Sequence, residues 1–154
     1  MPDNYEHVEP LLIDDSETDA ELCIRTMKEH HLANNIVWVK DGGKALDFLF
    51  GRGKFAGRNP THPPKVVLLD LRLPKVGGLE VLAQVGRGDQ LKTVPIVVLI
   101  SSREEHDVVE SYRRGANGFV SKPVEFNEFS EVVTKLGLYC LFVNKPPAPA
   151  LQVI

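Results

Sequence analysis

The sequence predicts an α/β fold, a five-stranded parallel sheet that is doubly wound, with helices on both faces. Three observations carry this expectation. Short apolar runs alternate with helical apolar patterns five times along the chain, as successive βαβ units require. The runs 66–69 and 94–100 are apolar almost without interruption, which marks strands buried on both faces rather than half-exposed ones. The chain of 154 residues is 43% hydrophobic and 25% charged, enough for one domain with a real core.

The elements follow in order. Residues 8–13 read as the first strand, with Pro10 near its start, where a missing N–H is tolerated. Ser16 is placed to cap a helix, Asp19 supports its first turn, and Ala20, Cys23, Ile24 and Met27 form its apolar face. Residues 36–39 form the second strand, and Asp41-Gly42 turns the chain into a helix carrying Ala45, Leu46, Leu49 and Phe50. The Gly- and Pro-rich stretch 51–64 is expected as a flexible surface loop. Residues 66–70 form the third strand, followed by a helix with Leu79, Leu82 and Val85 on one side.

Residues 94–100 are the fourth strand. Ser101-Ser102 caps a helix whose inward face is Val108, Val109, Tyr112 and Ala116. Residues 118–120 form a short fifth strand ending at Ser121-Lys122-Pro123. A last helix carries Phe126, Phe129, Val133 and Leu136 and runs on through residue 143. Residues 1–144 are expected to form one domain, and 145–154 a Pro-rich C-terminal arm.

Charge and composition narrow the partners. The net charge of -3, without a basic stripe, argues against nucleic acid. No apolar run approaches the roughly 20 residues of a membrane span, and residues 1–9 are too polar for a secretory signal, so a cytoplasmic protein is expected. Cys23 and Cys140 fall in apolar helical patterns and read as buried thiols rather than a disulfide. His30-His31 sits at a helix end, where it suits the helix dipole better than a metal.

Three strands end on chemically pointed residues: Asp14-Asp15 after the first, Asp70 after the third and Lys122 after the fifth. In a doubly wound sheet these ends meet at the carboxyl edge, where open α/β folds bind ligands. Taken alone, Asp70 has a lesser reading as a turn or capping aspartate, and Asp14-Asp15 reads more often as an N-terminal capping pair. Together, carboxylates this close need compensation, and a hard divalent cation such as Mg²⁺ provides it. Lys122 supplies a compact positive charge able to hold a phosphoryl oxygen, and Asp70 is placed to attack phosphorus.

The order Asp-Asp, then Asp-x-x-x-Pro-x-x-Gly-Gly over residues 70–78, then Lys122-Pro123, resembles the receiver domain of two-component response regulators over residues 8–136. Asp41-Gly42-Gly43-Lys44-Ala45-Leu46-Asp47-Phe48-Leu49 and Leu136-Gly137-Leu138-Tyr139 look like a subgroup, the single-domain regulators paired with bacteriophytochrome histidine kinases. The resemblance implies a flavodoxin-like strand order 2-1-3-4-5, with Asp70 as phosphoacceptor. It implies Asp15 as a direct Mg²⁺ ligand, Asp14 acting mainly through water, and the backbone carbonyl of Arg72 beside Asp70 in the ligand set. Lys122 would contact the phosphate, with a cis peptide to Pro123, and Phe119 stands where the family keeps a switching aromatic, although core packing explains it equally.

One position departs from the family. A hydroxyl-bearing Thr or Ser is expected at the end of the fourth strand, and Ile100 stands there instead. Ser101 is a weak substitute, because its side chain falls on the opposite face. The site is therefore expected to be chemically competent, with its usual readout weakened. Arg72 stands where the subgroup often has Asn, and its cation is expected to alter the lifetime of the acyl phosphate.

The implied protein is a signalling phosphoacceptor rather than an enzyme acting on a separate substrate. It takes its phosphoryl group from a sensor kinase and signals by protein–protein interaction. Leu138, Leu141 and Phe142, with Pro146 and Pro147 in the arm, form an apolar surface expected to build a homodimer by arm exchange; an arm folded back on its own domain is the other reading. Two rival classes share the sheet edge. A haloacid-dehalogenase-like hydrolase wants Asp-x-Asp where this chain has Asp70-Leu71-Arg72, and a phosphorylation-independent scaffold would fit Ile100.

Overall fold

Six strands pair side by side, all in parallel, in the order β5-β4-β3-β1-β2-β6. They are β1 (Pro10–Ile13), β2 (Val37–Val39), β3 (Val66–Asp70), β4 (Ile96–Ile100), β5 (Gly118–Ser121) and β6 (Gln152–Val153). The helices are α1 (Glu17–Glu29), α2 (Gly42–Phe50), α3 (Gly78–Arg87) and α4 (Phe126–Lys135), with a 3-10 turn at Gly53–Phe55. This computed structural model describes residues 10–30, 35–58, 62–73, 76–88, 91, 94–100, 115–135 and 152–153.

The expected order 2-1-3-4-5 is present, with one addition. β6 lies beside β2, pairing Gln152 with Val37 and Val153 with Trp38. An edge strand leaves a row of backbone donors and acceptors open, and the extended C-terminal segment satisfies part of that row. The rest of the arm and the continuation of the last helix lie outside the described residues.

Strand pleating sorts the core into two layers, since alternate side chains point to opposite faces. Leu11, Ile13, Val67, Leu69, Ile96 and Val98 pack on one face with α2 and α3. Leu12, Trp38, Leu68, Val97, Leu99 and Val120 pack on the other with the Ala20, Cys23, Ile24 and Met27 stripe of α1 and with Phe129 of α4. Ser16 caps α1 as expected, its Oγ accepting from Asp19 N at 3.2 Å. Asp41 caps α2, accepting from Lys44 N at 2.8 Å, and Gly51 closes that helix in a left-handed conformation.

Several expectations need correction. The stretch expected as a surface loop is not all at the surface: Phe55 and Arg58 are buried, and the Arg58 guanidinium donates to the carbonyls of Phe48 (2.7 Å) and His62 (2.6 Å). It also lies 4.2 Å from the Phe48 ring, so an aromatic and two carbonyls together hold the cation under the loop. On α3, Leu82 and Val85 lie in the core as expected, Val81 joins them, and Leu79 is half-buried against the same layer. Ala116 is buried but not helical; it lies in the turn leading to β5. His30 caps the end of α1 and stacks on Phe126 at 3.9 Å. Cys23 is a buried free thiol, pushed up to about 12 mainly by that burial; Cys140 lies outside the described residues.

Candidate functional site

Register builds the site. Ile13 pairs with Leu69, so the next residues, Asp14 and Asp70, emerge side by side at the carboxyl edge of the sheet. Ile100 pairs with Ser121, which brings Lys122 out at the same edge two strands away. Gly78 lets α3 start close under this edge. Its N–H donates to Leu71 O at 3.1 Å, and a Cβ there would lie 2.5 Å from Leu71 Cα and 2.8 Å from Asp70 O.

Lys122 Nζ stands 2.9 Å from Asp14 Oδ2, 3.0 Å from Asp70 Oδ2 and 3.2 Å from Asp19 Oδ2. The other oxygens are held by backbone: Asp14 Oδ1 accepts from Ser16 N at 2.9 Å, and Asp70 Oδ1 from Arg72 N at 3.0 Å. The Lys122–Pro123 peptide is cis. The side chains of Asp14, Asp70 and Lys122 are nearly sealed from solvent, whereas Asp15 is exposed at the rim.

The electrostatics follow from burial. Burial pushes the Asp14 carboxyl up from 3.8 to about 6, and the Lys122 contact and the Ser16 N–H pull it back only part of the way. Burial alone would lower the Lys122 pKa, but its contacts with Asp14 and Asp70 outweigh that and hold the ammonium above the usual lysine range. The buried Asp14 Oδ2 has no hydrogen-bond partner among the described residues and meets Lys122 as an ion contact only.

One oxygen each from Asp14, Asp15 and Asp70 lies within 4.8 Å of the others. Three hard carboxylate donors gathered this closely fit a divalent cation such as Mg²⁺. The structure thus brings Asp14, Asp15, Asp70 and Lys122 together, as expected from the sequence. The Arg72 N–H is placed on Asp70, and Arg72 is exposed.

Ile100 is buried at the end of β4, and its carbonyl accepts from Lys122 N at 2.8 Å. Phe119 is half-buried against the same apolar layer as Ile100. Ser101, Leu138, Leu141, Phe142, Pro146 and Pro147 lie outside the described residues.

Two residues were missed. Asp19 read as a first-turn charge, and no local spacing marks its contact with Lys122, which spans 103 residues of chain. Trp38 donates its indole N–H to Asp14 O at 2.8 Å, a bond that a buried tryptophan generally needs.

The model of the response regulator receiver domain matches residues 11–134. The chain is 37% identical over 140 residues to the probable methanogenesis regulatory protein FilR2 of Methanothrix harundinacea, covering 91% of this chain and 88% of that one. It is similar to the solved bacteriophytochrome response regulator AtBRR, with a TM-score of 0.79 and 46% identity over 90% of this chain and 99% of the other. It is also similar to response regulator Rcp1 of Synechocystis, at 32% identity over 90% of this chain and 92% of that one. A solved Mn(2+)-bound form of a response regulator Rcp1 aligns with a TM-score of 0.70 at 31% identity, over 93% of this chain and 99% of that one.

Proposed function

The chain belongs to the response regulator receiver domain family, and on that premise we propose that Asp70 accepts a phosphoryl group from the phosphohistidine of a sensor kinase. The observation that carries this reading is the Lys122 ammonium set between Asp70 and Asp14, 3.0 and 2.9 Å away, at the sheet edge.

Asp70 Oδ2 attacks phosphorus as the phosphorus–nitrogen bond of the donor breaks, and the electron pair leaves on the imidazole nitrogen. The Arg72 N–H holds Asp70 Oδ1 and so fixes the plane of the attacking carboxylate. Lys122 is held in place to meet a phosphoryl oxygen. Asp14, Asp15, Asp70 and the Arg72 backbone carbonyl would hold Mg²⁺, which when bound offsets the charge gathered by carboxylates and phosphoryl group. Incubation with acetyl phosphate and Mg²⁺ tests the reading, with Asp70→Asn as control. An acid-stable, base-labile phosphoryl adduct on wild type alone supports it, and an unlabelled wild type refutes it.

The donor kinase is proposed to be a bacteriophytochrome, on the likeness to AtBRR. Output is proposed to be protein binding, with a homodimer built from the last helix and the arm. Within the chain, β6 on β2 corresponds to the arm folded back on its own domain; a homodimer by arm exchange would make the same strand addition between two copies. Deleting residues 145–154 and measuring the mass in solution tests it, and an unchanged dimer removes the arm's role. Ile100 favours a second reading, in which phosphorylation proceeds but its readout through Phe119 is weak. Under it, Ile100→Thr strengthens the phosphorylation-linked change in assembly, and a variant that responds like wild type removes it.

A further inference from the structure

An ammonium carries three protons, and three carboxylate oxygens surround Lys122 Nζ, from Asp14, Asp70 and Asp19. The first two belong to the pocket at the sheet edge. The third comes from the first turn of α1, and nothing in the proposed chemistry uses it. Ser16 fixes it there: its N–H donates to Asp14 Oδ1 at 2.9 Å, and its Oγ accepts from Asp19 N at 3.2 Å. Asp14, Ser16, Asp19 and Lys122 thereby form a closed ring of polar contacts that ties the start of α1 to the end of β5.

We infer that Asp19 is a positioning residue for Lys122, holding its ammonium in the resting pocket in competition with an incoming phosphoryl group. The inference rests on the reading that Asp70 accepts that group. Before the new bond forms, Asp70 is still anionic and keeps its contact with Lys122. A phosphoryl oxygen that needs the lysine must therefore displace another partner. The Asp14 side chain is 1% exposed, so bulk water cannot take the ammonium's place there. The Asp19 side chain is 37% exposed and makes the longest of the three contacts, so water takes it over at least cost. Its charge also repels an anionic donor at close range. Both effects make Asp19 a brake on phosphoryl acceptance.

The test is the initial rate of Asp70 labelling in the full chain, with acetyl phosphate as donor and saturating Mg²⁺, followed by phosphate-affinity gel and intact mass. Asp19→Asn and Asp19→Ser should each raise the rate at least about threefold. Asp19→Glu, which keeps a carboxylate within reach of Lys122, should bring the rate back to that of wild type. Glu17→Gln removes a charge from the same helical turn, from a side chain that reaches Lys40 only at 4.0 Å, and should leave the rate unchanged.

A purely structural role for Asp19 would shift the melting temperature and leave the rates alone. If Asp19→Asn does not fold, Asp19→Ser decides. The inference is overturned by rates that stay level or fall in the Asn and Ser variants, by a Glu variant as fast as they are, or by an equal rise in Glu17→Gln. If wild type takes no phosphoryl group, the reading beneath fails and the inference falls with it. A labelled wild type with unaltered Asp19 variants overturns the inference alone.

Discussion

Asp14→Asn should make the metal-free protein more stable at pH 8, although it removes a charge from the heart of the site. Asp14 is fully buried, and burial lifts its carboxyl from 3.8 to about 6. The folded protein therefore holds this proton more tightly than the unfolded chain does. Between pH ~4 and ~6 the folded state carries the extra proton, so the Asp14 contribution to stability falls as pH rises through that window and stays low above it. A shift of this size corresponds to about 3 kcal/mol.

Asparagine fills the same volume without the charge, and the raised value already counts the attraction of Lys122 that the variant gives up. The variant should then be more stable by up to about 3 kcal/mol at pH 8, with the advantage fading towards pH 4. Urea unfolding in chelator, followed by far-UV circular dichroism from pH 4 to 8, measures the difference between the two proteins. A variant less stable than wild type at pH 8, or a difference that does not change across the window, would refute the reasoning.

The remaining predictions use other parts of the same edge. Trp38 is the only tryptophan and bonds to the Asp14 carbonyl, so Mg²⁺ titration should change its emission, and Asp14→Ala should abolish the change. Because the cation competes with the Asp14 proton, Mg²⁺ affinity should rise with pH up to about 6, by as much as ~tenfold per unit, and level off above; a flat profile would count against Asp14 as a ligand. Gly78→Ala places a Cβ against the backbone of Asp70 and Leu71, which cannot rotate away, and should cost about 1–3 kcal/mol in urea unfolding.

What the sequence made legible here depended on distance along the chain. Asp14 and Asp70 each end a buried apolar run and Lys122 follows a short, half-buried strand, and parallel pairing carries such strand ends to one edge whatever the loops between them do. Asp19 was harder to read because its role depends on how α1 sits against β5, which is decided by packing such as the Thr26 Oγ1 bond to Val124 O at 3.2 Å. β6 has only two residues, too few for an alternating pattern, and its place is set by the open edge of β2. Nothing in the sequence singled out Arg58, because the carbonyls it bonds to leave no mark in side-chain patterning.

The central claim is that the cluster at the sheet edge makes Asp70 a phosphoryl acceptor. The most direct measurement is intact mass after incubation with acetyl phosphate and Mg²⁺, on wild type, Asp70→Asn and Lys122→Met. Wild type should gain the mass of one phosphoryl group, located on Asp70 by peptide mapping. Asp70→Asn should gain none, and Lys122→Met should label more slowly by at least about tenfold. A wild type that gains nothing, or an Asp70→Asn protein labelled as well as wild type, would contradict the account.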